Sequence, residues 1–445
     1  MAGRSLFSGK IGFLFVAIGA TIGLGCLWRF PYMTAEHGGG LFILMFIALM
    51  ILFGLPLLVT EFAIGRSTKL GALNAYKAMH PKFGFLGYLT LIGVFMIHSY
   101  YVVITAWIGK YALLYLTGNS AQASSPTFFA EFSASYEPVV WVILLALMLA
   151  VCVKFGLRQG LERFSKFLIP IAMALLILFA VFVFFIPGTS EGIMYYLTPN
   201  FETFNLDAPL AALGQVFYAM SVGMGIMLTI GSYTAKNINL VKTSIITAVF
   251  ITITSFVAGL AIIPLSYMQT GGNPGLFGAG IVCEGMPLLL SNIPSGWLLG
   301  GLFFMLLFVA AFLANICTLE TMVTALIDRF NLSRTKSIII MTVLLIISSV
   351  IISLGYGLFD WVTFNGNNIL EMFDLISGNF ILPIVSLLTC ILVGYYVKPS
   401  VIFKEIGLGG WKWVTKLEPV FAVFTRFVMP AFIIIVLAYG VLAMF

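Results

Sequence analysis

The chain has 445 residues, 61% of them hydrophobic and only 9% charged, with a mean hydropathy of +1.11. A soluble domain covers its surface with roughly a quarter charged residues, so this composition excludes a water-soluble enzyme or nucleic-acid module and makes the bilayer the solvent. The formal net charge of +6 reads as membrane topology, because the basic residues concentrate in every second connection between apolar stretches.

A spanning helix needs about 20 apolar residues, and about eleven stretches qualify: 11–33, 41–64, 86–116, 139–153, 167–186, 210–232, 244–268, 297–327, 338–354, 369–397 and 420–445. The first contains Arg29 and no small-residue cleavage site, so it reads as a membrane segment rather than a removable signal peptide. Basic residues gather around Arg66 to Lys82, Lys154 to Lys166, Arg329 to Lys336 and Lys398 to Lys416. Alternate connections carry Glu131, Glu137, Glu191, Glu202, Asp207, Glu284 and Asp360. This positive-inside pattern puts the N-terminus in the cytoplasm and, with an odd count, the C-terminus outside. The stretch 271–294 is Gly-rich and broken by Pro274, Pro287 and Pro294; it is expected to form a structured outer loop or a short re-entrant hairpin.

Two segments interrupt their own helical pattern at similar depth. The first reads Gly19-Ala20-Thr21-Ile22-Gly23-Leu24-Gly25 and the sixth Ser221-Val222-Gly223-Met224-Gly225. Glycine weakens a helix by up to about 1 kcal/mol against alanine, so such clusters are either unwound segments or packing glycines. Interrupted spans at corresponding places in two halves mark an inverted-repeat transporter, where freed backbone groups coordinate substrate or ion. The two repeats are expected at about 10–187 and 209–397, with an extra C-terminal helix at about 419–445.

Ionisable groups inside apolar spans are expensive and mark function by default. Arg29 and Asp374 are either partners gating an aqueous path or independent residues reaching to the interface. His98 is either a proton relay or a satisfied core histidine, and Glu61 and Glu320 are read as structural anchors. Tyr100 and Tyr101 bring hydroxyls that want polar partners. On the inner side Arg4 is expected to reach Asp328 as a weak latch. Cys26, Cys152, Cys283, Cys317 and Cys390 have neither disulfide nor zinc spacing. There is no phosphate loop, zinc-protease helix or nucleophile elbow, so no catalytic residues, enzyme activity or cofactor are expected.

The run Gly-Leu-Gly-x-x-Trp-Arg-Phe-Pro-Tyr (Gly23 to Tyr32), followed by Glu36-His37-Gly38-Gly39-Gly40, resembles the first-helix motif of the neurotransmitter:sodium symporter family, and eleven segments resemble its shorter bacterial members. Pro56, Glu61, Gly65 and Arg66 are similar to its second-helix pattern, Gly160 through Pro170 to its fifth-helix glycine-to-proline element, and Gln215, Ser221 and Gly223 to Gly225 to its sixth-helix break. The resemblance implies an all-α membrane protein with LeuT-type inverted repeats, moving an amino acid or related small zwitterion by alternating access. It implies a substrate pocket of Thr21, Gly25, Ile97, Tyr101, Tyr218, Ser221, Met224 and Thr318, an outer gate of Arg29 and Asp374, and an inner gate of Arg4, Tyr233 and Asp328. In that frame the Gly25 amide and the Tyr101 hydroxyl hold the substrate carboxylate.

The departures bear on ions. Where the family's first sodium site has side-chain oxygens, this chain has Cys26, Ala219 and Ile251 (Phe250 in an alternative register). At the second, Leu313 and Ala314 replace them, with Asn315 adjacent. Backbone carbonyls of Gly19, Ile22 and Ala310 remain as candidate sodium ligands. Phe46 replaces a chloride-site tyrosine, although Gln215 and Ser255 remain, so chloride is not expected. Sodium is thus the uncertain coupling ion of a carrier with depleted ligands. The alternatives are a proton-coupled or uncoupled exchanger of the same fold, or a substrate-sensing receptor that no longer transports.

Overall fold

The computed structural model describes residues 6–201, 207–272, 282–364, 366–408 and 412–442. Among these there is no β-strand, only two isolated bridges, Gly39 with Pro199 and Phe364 with Asn367. The first span is broken into α1 (Lys10–Thr21) and α2 (Gly25–Glu36), bent by 50°. It is followed by α3 (Gly40–Thr68), α4 (Pro81–Leu116), α5 (Glu137–Lys154) and α6 (Leu157–Phe184). The sixth span is also broken, into α7 (Asp207–Ala219) and α8 (Ile226–Ser232). Then come α9 (Leu240–Met268), α10 (Gly296–Phe330), α11 (Arg334–Leu354), α12 (Ile369–Val397) and α13 (Trp413–Ala438). Among the described residues nine unbroken helices are long and apolar enough to cross a membrane, and with the two broken pairs they match the eleven stretches read from the sequence.

One boundary differs markedly from expectation. α6 begins at Leu157 rather than near residue 167, because the charges of its first turns find partners: Lys166 Nζ donates to Glu162 at 2.6 Å and Arg158 Nε to the Leu6 carbonyl at 2.9 Å. The expected outer loop contains a short helix, Gly285–Ser291; its stretch 273–281 lies outside the described residues.

Proline shapes many of the spans. Wide π turns at Gly25–Arg29, Met50–Gly54, Leu375–Ile381, Leu392–Val397 and Phe424–Val428 each end two residues before a proline, namely Pro31, Pro56, Pro383, Pro399 and Pro430. The ring removes an N–H and crowds the carbonyl four residues back; widening the preceding turn relieves that conflict without ending the helix at Pro31, Pro56, Pro383 and Pro430, whereas ahead of Pro399 the helix ends at Val397 and Lys398 has a φ of 73°. α4 and α10 are the most enclosed spans, with 78% and 72% of their apolar windows buried, whereas α13, at 22%, lies at the periphery.

The core tightens where α3 meets α8. A Cβ on Gly65 would overlap the Leu228 carbonyl, and one on Gly231 would overlap the Phe62 backbone, so the two helices touch main chain to main chain. Beside them the Arg66 guanidinium is fully buried, donating to the Ile238 carbonyl at 2.7 Å and to both the carboxylate and the carbonyl of Glu405. Backbone cannot yield as a flexible side chain can, so Gly65→Val is expected to cost at least the roughly 1–3 kcal/mol typical of overpacking. Detergent-purified protein should lose several degrees of apparent melting temperature in a size-exclusion thermostability assay, while Gly214→Ala, in a position with open space, should not.

Candidate binding site and gates

The first break follows from its residues. After Thr21 the helical bonds lapse; the Gly23 amide turns back to the Thr21 carbonyl at 3.0 Å, and the amides of Cys26 and Leu27 share the Gly23 carbonyl. In the second break Ser221, Gly223 and Gly225 have φ of 52°, 81° and 69°, a left-handed conformation that glycine adopts without steric cost and serine does not. The Ser221 hydroxyl offsets this by donating to the Ala20 carbonyl at 3.0 Å, which joins the two breaks.

Other released groups are met by side chains from neighbouring spans. The Gly223 amide donates to the Glu61 carboxylate at 2.7 Å, the Gln215 side chain donates to the Gly25 carbonyl at 2.7 Å, and the Leu24 amide donates to the Tyr101 hydroxyl at 2.9 Å. Glu61 is therefore an anchor of the unwound segment, as its sequence context suggested.

Between the breaks lies a cavity of about 40 Å³. All eight residues expected for a substrate pocket, Thr21, Gly25, Ile97, Tyr101, Tyr218, Ser221, Met224 and Thr318, line it, together with Ala20, Gly23, His98, Ile226 and Ala314. The space admits little more than ordered water, so a larger guest must push Tyr218, Met224 or Ile97 aside. His98 departs from the satisfied core histidine of the sequence reading. It is fully buried, and neither ring nitrogen has a hydrogen-bond partner.

The outer-gate pair is corrected in detail. No Arg29–Asp374 ion pair within 4 Å occurs among the described residues. The guanidinium instead lies over the Tyr218 ring, 5.1 Å from its centroid, and Asp374 accepts from the Tyr100 hydroxyl at 2.7 Å. Tyr100 also meets the Tyr218 hydroxyl at 3.4 Å. The physical reason is that the aromatic pair fills the space between the two charges and offers each a partner, a cation–π face for one and an O–H donor for the other. Beyond this layer opens a vestibule of about 440 Å³ lined by Trp28, Tyr32, Trp107, Phe129, Tyr356 and Asp374 among others.

At the opposite end Arg4 lies outside the described residues. The Tyr233 hydroxyl donates to Glu320 at 2.9 Å and meets the Thr324 hydroxyl at 2.7 Å. Arg334 donates to both Glu320 oxygens and to the Val153 carbonyl. Asp328 accepts from the Gly71 amide at 2.6 Å. The sequence reading missed the Glu320–Arg334 pair, which crosses the turn between α10 and α11; an intramembrane Glu fourteen residues before an Arg at the next helix start was the available signal. The N-terminal strand seals the same end, with Phe7 packing on Phe13 and Tyr233 and Ser8 donating to Glu162.

At the second expected ion position the Leu313 side chain stands 2.7 Å from where a Cβ on Gly19 would be, with Ile169 alongside. The Asn315 amide nitrogen donates to Thr105 on α4 and to the Ala311 carbonyl, both at 2.9 Å, and its buried side-chain oxygen has no hydrogen-bond partner. At the first, the Cys26 thiol donates to the Thr21 carbonyl at 3.4 Å. All five cysteines are free.

Comparison with known proteins gives this arrangement its place. The sequence matches the sodium:neurotransmitter symporter family over residues 4–131 and 132–444. It is 30% identical over 451 residues to an uncharacterized sodium-dependent transporter of Haemophilus influenzae, covering 97% of each chain. To another from Methanocaldococcus jannaschii it is 33% identical over 437 residues, covering 92% of this chain and 86% of that one. The crystal structure of MhsT in complex with L-phenylalanine superposes with a TM-score of 0.88 at 30% identity, covering 98% of this chain and 100% of that one. With two broken spans facing each other across a cavity and a match that runs nearly end to end, the chain belongs to the sodium:neurotransmitter symporter family and is a multi-pass secondary transporter of LeuT-type fold.

Proposed function

We propose that this protein carries an amino acid or related small zwitterion by alternating access, with sodium coupling weakened or lost. The substrate reading rests on the cavity, whose eight expected residues converge from α1, α2, α4, α7, the second break and α10; MhsT, similar over its whole length, was crystallised in complex with L-phenylalanine. Tyr101 accepts the Leu24 amide and keeps its own proton for a carboxylate, which the Gly25 amide meets from the unwound segment. Oriented amides and a hydroxyl in a water-poor pocket suit an anion well. Thr21, Ile97, Tyr218, Ser221, Met224 and Thr318 shape the remaining space.

Access alternates between two closures. One is the Arg29–Tyr218–Tyr100–Asp374 layer; the other is the Tyr233–Glu320–Arg334 cluster with Asp328, the N-terminal strand and Arg4. The basic connections put the second closure, and the N-terminus, in the cytoplasm and the C-terminus outside.

The coupling reading rests on Leu313 occupying the space beside Gly19. The Gly19, Ile22 and Ala310 carbonyls remain as candidate oxygen ligands, yet a branched aliphatic side chain lies against Gly19, and Cys26, Ala219 and Ile251 bring no side-chain oxygen to the other position. The family's usual driving ion therefore has little to bind, and exchange or proton-driven movement takes its place.

Two measurements check these readings. Uptake of labelled amino acid into proteoliposomes is expected to proceed under no ion gradient against internal substrate, and an inward sodium gradient should change the initial rate by less than about twofold; strict dependence on sodium overturns the coupling reading. Binding that is never followed by uptake or exchange favours the receptor alternative instead. Tyr101→Phe removes a charge-assisted hydrogen bond worth about 1.5–3 kcal/mol, so substrate affinity in equilibrium binding should fall about 10- to 100-fold, and the apparent melting temperature should fall as well because the buried Leu24 amide loses its acceptor.

A further inference from the structure

The cavity wall contains one group whose chemistry nothing inside the protein uses. His98 sits on α4 between Ile97 and the Tyr101 turn, fully buried and facing the cavity. A neutral imidazole always presents one N–H donor and one lone-pair acceptor, and both nitrogens lack a partner. The other polar side chains of the wall are engaged. Thr21 donates to the Ile18 carbonyl at 2.9 Å, Ser221 to Ala20 at 3.0 Å and Thr318 to Ala314 at 2.8 Å. Tyr101 takes the Leu24 amide, and Tyr218 meets Tyr100. The remaining side chains of the wall, those of Ala20, Ile97, Met224, Ile226 and Ala314, offer no strong hydrogen bond.

An orphaned polar ring among aliphatic groups is destabilising, and leucine or alanine at this place would pack without that cost. The ring is balanced only when something enters the cavity and bonds to it. We infer that His98 is a specificity-determining residue that hydrogen-bonds the substrate's side chain, and that the substrate is an amino acid with a short, neutral, hydrogen-bonding side chain, a hydroxyl or a carboxamide. The inference rests on the reading of this cavity as the substrate site.

Size and charge narrow the class. Any amino acid must displace wall side chains from a void of about 40 Å³, and a short side chain displaces fewer of them than an aromatic one. No carboxylate and no permanently cationic side chain lines the cavity, so a charged substrate side chain would enter without a fixed counter-charge, whereas a hydroxyl or carboxamide satisfies a neutral imidazole on its own terms. A site built to bond a polar group rejects the isosteric hydrocarbon strongly, because the analogue leaves the protein's own group unpaired.

The test is an affinity ratio within matched pairs, measured by calorimetry or ligand-induced thermal shift on the purified full-length protein: L-serine against L-alanine, L-threonine against L-valine and L-asparagine against L-leucine. Wild type should prefer the polar member of at least one pair by about tenfold or more, and which pair responds distinguishes hydroxyl from carboxamide. His98→Leu should erase that preference while leaving or improving affinity for the apolar member, and His98→Asn, which keeps a donor and an acceptor, should retain part of it. A merely structural histidine would shift both members of a pair together. Equal affinity within every pair in wild type overturns the inference even if neither variant folds, as does an unchanged ratio in His98→Leu. The underlying site reading fails separately: in that case no amino acid binds, or Tyr101→Phe leaves amino-acid binding unchanged.

Discussion

Main-chain amides and carbonyls set free halfway through a bilayer have no water to turn to, and the rest of this structure is arranged around that constraint. The two breaks are repaired by groups brought from elsewhere: Glu61 for the Gly223 amide, Gln215 for the Gly25 carbonyl, Tyr101 for the Leu24 amide and Ser221 for Ala20. Each repair needs a close approach. Glu61 and Gly65 lie on one face of α3, four residues apart, and the bare main chain at Gly65 lets α8 come near enough for the carboxylate above it to reach the break. A packing glycine and a buried acid are thus two parts of one device.

Much of the fold was legible because the bilayer simplifies the code. Twenty apolar residues make a span, and clustered glycines mark where a span fails; α1/α2 and α7/α8 break where Gly19 to Gly25 and Ser221 to Gly225 indicated. Charged residues misled at an end. Arg158, Arg163 and Lys166 looked like a loop, yet Glu162 and the N-terminal strand hold two of them and the helix runs through. The π turns ahead of Pro31, Pro56, Pro383, Pro399 and Pro430 have a local cause that proline spacing alone announces, so they were available to a closer reading.

The site was legible to a lesser degree, and for a different reason. Its eight wall residues come from helices distant in sequence, and no local periodicity says that Thr318 and Thr21 face one hollow; the motif around Gly23 to Tyr32 supplied that. What no motif supplied was the state of individual side chains. Arg29 and Asp374 were paired on charge and on the family resemblance, whereas Arg29 lies over the Tyr218 ring and Asp374 accepts from Tyr100. Glu320 and Arg334 find each other across a helix turn that hydropathy cannot orient. His98 was assigned to the core on base expectation, and only its surroundings reveal that it has no partner.

The methyl groups of Leu313 against Gly19 bear on energetics. A cation held between two helices is a removable cross-link, present when supply and membrane voltage favour it and carrying charge through the field as it travels. An aliphatic side chain is tethered, neutral and permanent, so the joint between α1 and α10 is the same in brine as in fresh water and the transmembrane voltage has nothing at that point to pull on. Under the proposed weakening of sodium coupling, a carrier joined in this way would take its direction from the concentrations of its cargo on the two sides.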